Sequence, residues 1–185
     1  IPFSLTNSVL ANNGNYAAYL YSNDQPSLSL SGNNGYGNKY NAIYLQGTMN
    51  DLTLSPQGNL VFTGYFTTPL GKTLTIQAGT IIKPQSTITI SGTLTATGTS
   101  SSPVVFTSFK DDSYGGDTNG DGTATSPAKG DWNSLYVKGG TLNLDYAVVS
   151  YGGSSSLYDG MITQSYDTSH NNAIITIHAG AGGTE

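Results

Sequence analysis

The chain has no cysteine and no arginine, and its single glutamate is Glu185. Only 9% of its 185 residues are charged, and the formal net charge is −5. Nucleic acids and anionic membranes are bound through clustered cations, so we expect neither as a partner. No apolar run reaches the roughly 18 residues that a membrane-spanning helix needs. The lack of cysteine does not assign the protein to a redox compartment, although it fits a secreted bacterial or archaeal protein that folds without disulfides.

Residues that favour helices are scarce, whereas 24 glycines and 13 tyrosines accompany many threonines, serines and asparagines. Threonine and tyrosine favour strands, and glycine and asparagine favour turns. The composition therefore predicts an all-β protein with many turns.

An internal repeat occupies the first quarter of the chain. Residues 3–20 align without a gap on residues 28–45, at an offset of 25 positions. Each copy has two strand-like runs around a corner rich in asparagine and glycine, and stacked copies could bury a continuous core. The aligned pairs are Phe3 with Leu28, Leu5 with Leu30, Asn13 with Asn38, Ala17 with Ala42, Tyr19 with Tyr44, and Leu20 with Leu45.

Short alternating runs continue beyond residue 53, and small polar residues separate them. Such runs are typical of strands that turn corners every few residues. We therefore predict coils of roughly 20–25 residues stacked into a parallel β-helix, of which about seven or eight would use the whole chain. Leu, Ile, Val, Phe and Ala would point inward, and Thr, Ser and Lys outward. An ordinary β-sandwich is the alternative.

An acidic stretch, DDSYGGDTNGDGT, interrupts this pattern at residues 111–123. Asp117, Asn119 and Asp121 follow the spacing D-x-N-x-D-G of the first half of a calcium-binding loop, in which alternate positions supply oxygen ligands. The next ligand would be the backbone carbonyl of Thr123. The bidentate glutamate expected at position twelve is replaced by Ala128.

Other carboxylates could complete a calcium shell. Asp111 and Asp112 precede the loop and Asp131 follows it. We predict one structural Ca²⁺ that fixes an inserted loop at residues 111–131, with a solvated acidic turn as the alternative. Trp132, the only tryptophan, is expected to pack where the loop rejoins the strands.

The phrases GKTLTIQAGTIIK, ISGTLTATGTSSSPVVFTS, KDDSYGGDTNGDGT, GDWNSLYV and LDYAVVSYGG carry a family resemblance. They resemble the right-handed parallel β-helix repeats of large secreted and cell-surface proteins of bacteria and archaea, within the pectate lyase-like β-helix superfamily. The resemblance covers about residues 54–153. It implies the fold, whereas the relatives include adhesins, stalks and pectin-degrading enzymes, so it leaves the activity open.

Catalysis is not expected. Pectate lyase-like enzymes use calcium with a basic residue, typically arginine, which this chain lacks. Asp111 and Asp112 are adjacent and would point to opposite sides, so they cannot form the facing pair that a glycosidase needs. His170 and His178 have no acid or nucleophile pattern beside them.

Two tyrosines form a candidate carbohydrate platform. Tyr19 and Tyr44 should stack one coil apart, and an aromatic row can bind sugars or simply stabilise neighbouring strands. Both interpretations remain open on the sequence alone.

The domain organisation predicted is a single β-helix over residues 1–185. Residues 1–53 form regular 25-residue coils, residues 54–110 and 132–185 form further coils, and residues 111–131 form the calcium-binding insertion. We expect a non-catalytic segment of an extracellular adhesin, stalk or fibre. The alternative is a module that binds or cleaves carbohydrate.

Neither end carries an evident cap, and Ile174, Ile175 and Ile177 would face water. Since solenoids normally cap their terminal coils, we expect head-to-tail self-association into filaments. The alternative is a fragment of a longer protein, whose ends are merely frayed. A surface polysaccharide is a further candidate partner.

Overall fold

The computed structural model describes residues 3–23 and 28–153, together with the backbone of two later strands. Every regular element in these ranges is a β-strand, which confirms the all-β class. The described residues contain no helix of the length and hydropathy needed to cross a bilayer. In chain order the strands are β1 Phe3–Thr6, β2 Val9–Ala11, β3 Tyr16–Ser22, β4 Leu28–Ser31, β5 Asn34–Tyr36, β6 Tyr40–Thr48, β7 Leu52–Leu54, β8 Val61–Thr68, β9 Thr73–Gln77, β10 Ile81–Pro84, β11 Ile88–Ile90, β12 Thr93–Thr97, β13 Val104–Phe106, β14 Leu135–Val137, β15 Thr141–Asp145, β16 Ala147–Val149, β17 Met161–Gln164 and β18 Ile175–Ile177.

The strands pair in parallel with strands that follow two or more elements later in the chain. Thus β1 pairs with β4, β2 with β5 and β3 with β6. Within the described part, only β17 pairs antiparallel, with β14 and β18. This order is that of a chain winding through stacked parallel sheets, as the sequence predicts. We call β1–β3 the first coil and β4–β6 the second coil.

The register between these two coils confirms the 25-residue repeat. Phe3 pairs with Leu28, and Tyr19 pairs with Tyr44. One irregularity interrupts the gapless alignment, because Tyr16 pairs with Tyr40 rather than with the residue 25 positions on. One extra residue of β6 is therefore accommodated in a bulge opposite β3.

The largest sheet divides at β8. On one side β8 pairs with β6 along seven residues, and on the other side its first half pairs with β10 and its second half with β11. Gly64 lies in the middle of β8 with a φ of 109°, where a Cβ atom would meet the carbonyl oxygen of Leu45. Only glycine adopts this backbone freely, so the strand bends where the sheet divides.

The core consists of columns of apolar side chains that run from strand to strand. In the four-stranded sheet β7-β9-β12-β15, the inward residues alternate with threonines that point outward. Such in-register stacking removes apolar surface from water, and each Å² buried stabilises the fold by about 25 cal/mol. One column contains Leu52, Leu74, Leu94 and Leu142, and the next contains Leu54, Ile76, Ala96 and Leu144.

Side-chain amides satisfy the backbone at the corners between strands. Asn33, which is fully buried, donates from Nδ2 to the carbonyl of Leu5 (2.7 Å) and accepts from the amide of Ser8 (3.1 Å). Asn38 binds the preceding coil in the same way, at Leu10 (2.8 Å) and Asn13 (3.0 Å). Each amide therefore reaches back to the coil before it, at places where the sheet ladder cannot pair the backbone.

Candidate functional site

The acidic stretch belongs to a long connection between β13 and β14. Residues 107–134 carry no strand and fold back over the outer face of the largest sheet. The ring of Phe109 contacts Tyr40 edge-on, with centroids 5.5 Å apart. Gly115 lies so close to Val61 of β8 that a side chain there would collide with it. The loop therefore covers Val61 of β8 and Lys83 of β10, which would otherwise face solvent.

Lys83 of β10 holds the loop against the sheet. Its side chain is fully buried, and its ammonium group donates to the carbonyl oxygens of Asp111 (2.8 Å) and Gly116 (3.2 Å) and to Oγ1 of Thr118 (2.7 Å). The three donors of the ammonium group are thus all used. Burial lowers the pKa of Lys83 to about 8, although the nearby carboxylates of Asp111, Asp112 and Asp117 act in the opposite direction.

Sequence reasoning missed Lys83, which is far from the acidic loop in the chain but contacts it in the structure. Lys83 lies 28 residues before Asp111 in the chain and reaches it only through the stacking of strands. The alternation of β10 was the available signal: Ile82 points into the core, so Lys83 has to point outward.

Two of the predicted metal ligands are engaged in other contacts. Asp111 is 3% exposed and accepts from Oγ1 of Thr107 and from the amide and hydroxyl of Ser113. Asp131 accepts from Lys110 (2.8 Å) and from Ser108 (2.6 Å), and also from the amide of Ala128. These contacts close both ends of the loop.

The ion pair with Lys110 also affects the pKa of Asp131. Burial raises the pKa of this carboxyl group, but the hydrogen bonds from Lys110 and Ser108 and from the Ala128 amide outweigh it, so the net pKa is lowered. The carboxylate is therefore stabilised in the ionised form by its partners at the base of the loop.

Asp117 organises the tight turn that the D-x-N-x-D-G spacing predicts. One carboxylate oxygen accepts from the amides of Gly120 (2.8 Å) and Asp121 (3.1 Å), and the other accepts from Gly122 (2.9 Å). Gly120 and Gly122 both have positive φ angles, which permit the reversal of the backbone. Thr123 follows in an exposed position.

Three oxygens of this loop are buried without a hydrogen-bond partner: Oδ1 of Asp112, of Asn119 and of Asp121. Burial raises the pKa of Asp112, and the carboxylates of Asp117, Asp121 and Asp111 raise it further, against the opposing effect of Lys83. The structure therefore brings Asp112 near Asp117 and Asp121. Within the described ranges, however, no three His, Cys, Asp or Glu side chains stand together in an arrangement that could hold a metal ion.

Trp132 lies where the loop rejoins the strands, as predicted. Its side chain is 1% exposed and belongs to the core, its Nε1 donates to the carbonyl of Ser150 (2.7 Å), and Gly152 lies against its ring. His170 and His178, as well as the predicted terminal isoleucine Ile174, lie outside the described residues.

The two platform tyrosines stack as predicted, with ring centroids 4.8 Å apart and planes 7° from parallel. Tyr44 nevertheless offers no platform, because Tyr19, Tyr16 and Tyr65 surround it and leave it 8% exposed. This burial, followed by the charges of the neighbouring tyrosines, raises the pKa of Tyr44 to about 12.

The exposed aromatic surface lies beside Tyr44. It consists of Tyr19, Tyr21 and Tyr65, which are 55%, 59% and 41% exposed, and of Gln46 between them. We call these four residues the tyrosine face. Only Tyr19 among them was part of the predicted platform.

A family model described as a pectate-lyase-like beta helix domain matches residues 46–163, which is more than half of the chain. The match includes the inserted loop together with β8 and β10 beneath it. No curated protein and no solved structure matches the chain.

The contacts of Lys83 lead to a stability prediction. Lys83→Met should leave the carbonyl of Asp111 and Oγ1 of Thr118 without their donor, and leave the carbonyl of Gly116 with Thr118 alone. The expected cost is about 1–3 kcal/mol in unfolding free energy. The loop should also become sensitive to protease around residues 111–118. Urea unfolding and limited proteolysis measure both effects. The matched control is Lys138→Met at an exposed position, and equal cleavage of the two variants would contradict the role of Lys83.

Proposed function

The chain belongs to the family of pectate-lyase-like β-helix domains, and we propose that it serves as a non-catalytic, rigid segment of an extracellular adhesin, stalk or fibre. The observation that carries this proposal is the inserted loop, which is docked on the sheet through buried contacts and closes the surface beneath it. The finer features of the fold belong to the same proposal: a right-handed solenoid of about seven or eight coils with this Asp/Gly-rich loop as its insertion.

The chemistry of the loop supports a structural role over a catalytic one. The ammonium group of Lys83 is buried and donates to three oxygens, so it is not presented to a substrate. Asp111 and Asp131 are committed to contacts that hold the loop. The remaining acids, Asp112, Asp117 and Asp121, lie near one another on one loop, whereas a glycosidase needs two carboxylates that flank its substrate.

We further propose that one Ca²⁺ binds in the distal half of the loop. Asp117, Asn119 and Asp121 would hold it together with the carbonyl of Thr123, and Asp112 would add a carboxylate. The three buried oxygens without partners fit this set, since each is an oxygen ligand of the kind that Ca²⁺ takes. Asp111 and Asp131, the other candidates, have their oxygens occupied by side-chain donors, whereas Asp117 accepts only from backbone amides of its own turn.

The described residues hold no cluster of three acids arranged around a metal site, and the proposed calcium ligands are compatible with that finding. Asn119 and a backbone carbonyl supply part of it, and Ca²⁺ accepts such neutral oxygens alongside carboxylates. Mutual repulsion of Asp112, Asp117 and Asp121 disfavours their close approach until a cation neutralises them. Calcium would then supply positive charge around Asp117 and Asp121, as the ammonium group of Lys83 does beside Asp111.

We also propose a location outside the cell, which the calcium proposal supports. Extracellular modules bind Ca²⁺ with dissociation constants of about 10⁻⁴–10⁻³ M, which suits a site with neutral ligands. The sparse charge and the absence of cysteine agree with that location.

End-to-end stacking is the last part of the proposal. In the described residues, β1, β2 and β3 of the first coil each pair on one side only. Phe3 is 47% exposed, and Leu5 is half-buried, whereas its partner Leu30 in the second coil is 3% exposed. A terminal coil of another copy could cover this surface, and such a heterologous contact continues into a filament.

The calcium proposal predicts a metal-dependent stability. Millimolar Ca²⁺ should raise the melting temperature and protect residues 117–125 from protease, and a chelator should reverse both effects. Asp112→Asn and Asp121→Asn should abolish the response, whereas Asp145→Asn, on the distant strand β15, should retain it. A melting temperature that calcium leaves unchanged would sink the metal site. Calorimetry and proteolysis are the measurements.

The non-catalytic assignment predicts no turnover of pectin-like polymers. Polygalacturonate incubated with the chain and Ca²⁺ should yield neither unsaturated products nor new reducing ends above the blank. Release of reducing ends that disappears in Asp112→Asn would establish an enzyme instead.

The stacking proposal predicts concentration-dependent assembly. Sedimentation and electron microscopy should show fibres or oligomers of the purified chain. Phe3→Lys, which places a charge on the open apolar column, should shift the population to monomers, while Leu70→Lys at an 83% exposed turn position should not. A monomer at all concentrations contradicts stacking between copies.

A further inference from the structure

The tyrosine face occupies three neighbouring strands in register. Tyr21 of β3 pairs with Gln46 of β6, which pairs with Tyr65 of β8. Adjacent strands are about 4.8 Å apart, so the rings of Tyr21 and Tyr65 are placed about two strand spacings apart along the stacking direction. Tyr19 lies in the neighbouring row, beside Tyr44. The face thus extends across three strands along the stacking direction.

Side-chain amides fix the exposed rings. Tyr19 donates its hydroxyl to Oε1 of Gln46, and Nε2 of Gln46 donates to the hydroxyl of Tyr65. Asn23 donates to the hydroxyl of Tyr21 at 2.9 Å. Tyr44 supports two of the rings from the side, because it is stacked on Tyr19 and edge-on to Tyr65. Rings held in this way lose little conformational freedom when a ligand binds, which favours affinity.

The face carries no charged side chain. Of the nearby lysines, Lys39 lies over the ring of Tyr40 and Lys83 is buried beneath the loop. The chain as a whole has a net charge of −5. An acidic polymer would therefore find no cation on this face and a repulsive field around it. Flat aromatic rings, an amide and hydroxyl groups suit a neutral ligand that has both apolar C–H faces and hydroxyl groups.

We propose that the tyrosine face binds a neutral polysaccharide, whose chain lies along the stacking direction of the strands. Its sugar rings stack on Tyr21 and Tyr65, and its hydroxyl groups exchange hydrogen bonds with Gln46 and the tyrosine hydroxyls. A polymer with a regular repeat can place one sugar ring on Tyr21 and another on Tyr65, on either side of the strand that carries Gln46. This binding requires neither calcium nor catalysis. It would allow the rigid segment to adhere to a polysaccharide through the tyrosine face.

Affinity electrophoresis in gels that contain soluble neutral polymers tests the proposal. The probes are a mixed-linkage β-glucan, a xylan and a galactomannan, with polygalacturonate as the acidic comparison. We expect retardation by at least one neutral polymer and none by polygalacturonate. The double variant Tyr21→Ala/Tyr65→Ala should weaken that retardation at least tenfold.

The matched control is Tyr36→Ala, which removes a ring that is 59% exposed on β5, outside the tyrosine face. It should bind as the unmodified chain does. Melting temperatures of all variants establish that they remain folded, and the single variant Tyr65→Phe, which keeps the ring but loses the acceptor for Gln46, provides an intermediate case. The assignment is overturned if no polymer, or polygalacturonate alone, retards the unmodified chain. It is also overturned if the double variant is retarded as strongly as the unmodified chain.

Discussion

The structure depends on one interaction, the hydrogen bond from a side-chain amide to the backbone of the preceding coil. Sheet pairing satisfies the strands, but the corners between them carry buried amides and carbonyls that no strand can reach. An unpaired buried group costs about 1–3 kcal/mol, so every corner needs a partner. Asn33 and Asn38 supply it for the first coil, and Gln57 supplies it for the carbonyl of Leu30 in the second. The apolar columns can stack only because these corners are closed.

The inserted loop extends the same principle to the outside of the stack. Lys83 points away from the core, and the loop provides it with three oxygen acceptors. The cost of burying an ammonium group is visible in its lowered pKa, and it is offset by the hydrogen bonds and by nearby carboxylates. The loop is therefore a part of the fold, and its docked position also places Phe109 against Tyr40 of β6.

The sequence predicts contacts between equivalent positions of the repeat, and it misses contacts between residues that are brought together only by the fold. The register of Phe3 with Leu28 and the stacking of Tyr19 on Tyr44 follow from a gapless repeat. The partner of the acidic loop could not be found in that way, because Lys83 belongs to a different coil from the residues it binds. Likewise, spacing alone cannot rank the acids around the D-x-N-x-D-G turn. Only the fold shows that Asp131 is paired with Lys110 and that Oδ1 of Asp112 has no partner.

The path of the loop across several strands has a mechanical consequence. A pull along the stacking direction loads the bonds between successive strands in series, so an unsupported stack yields at its weakest junction. The loop lies across three such strands: Gly120 approaches Lys39 just before β6, Gly115 contacts Val61 of β8, and Lys83 of β10 anchors it. These junctions cannot separate until the loop is released as well. The loop therefore reinforces the junctions between β6, β8 and β10. A stack under tension should separate first at a junction that no loop bridges.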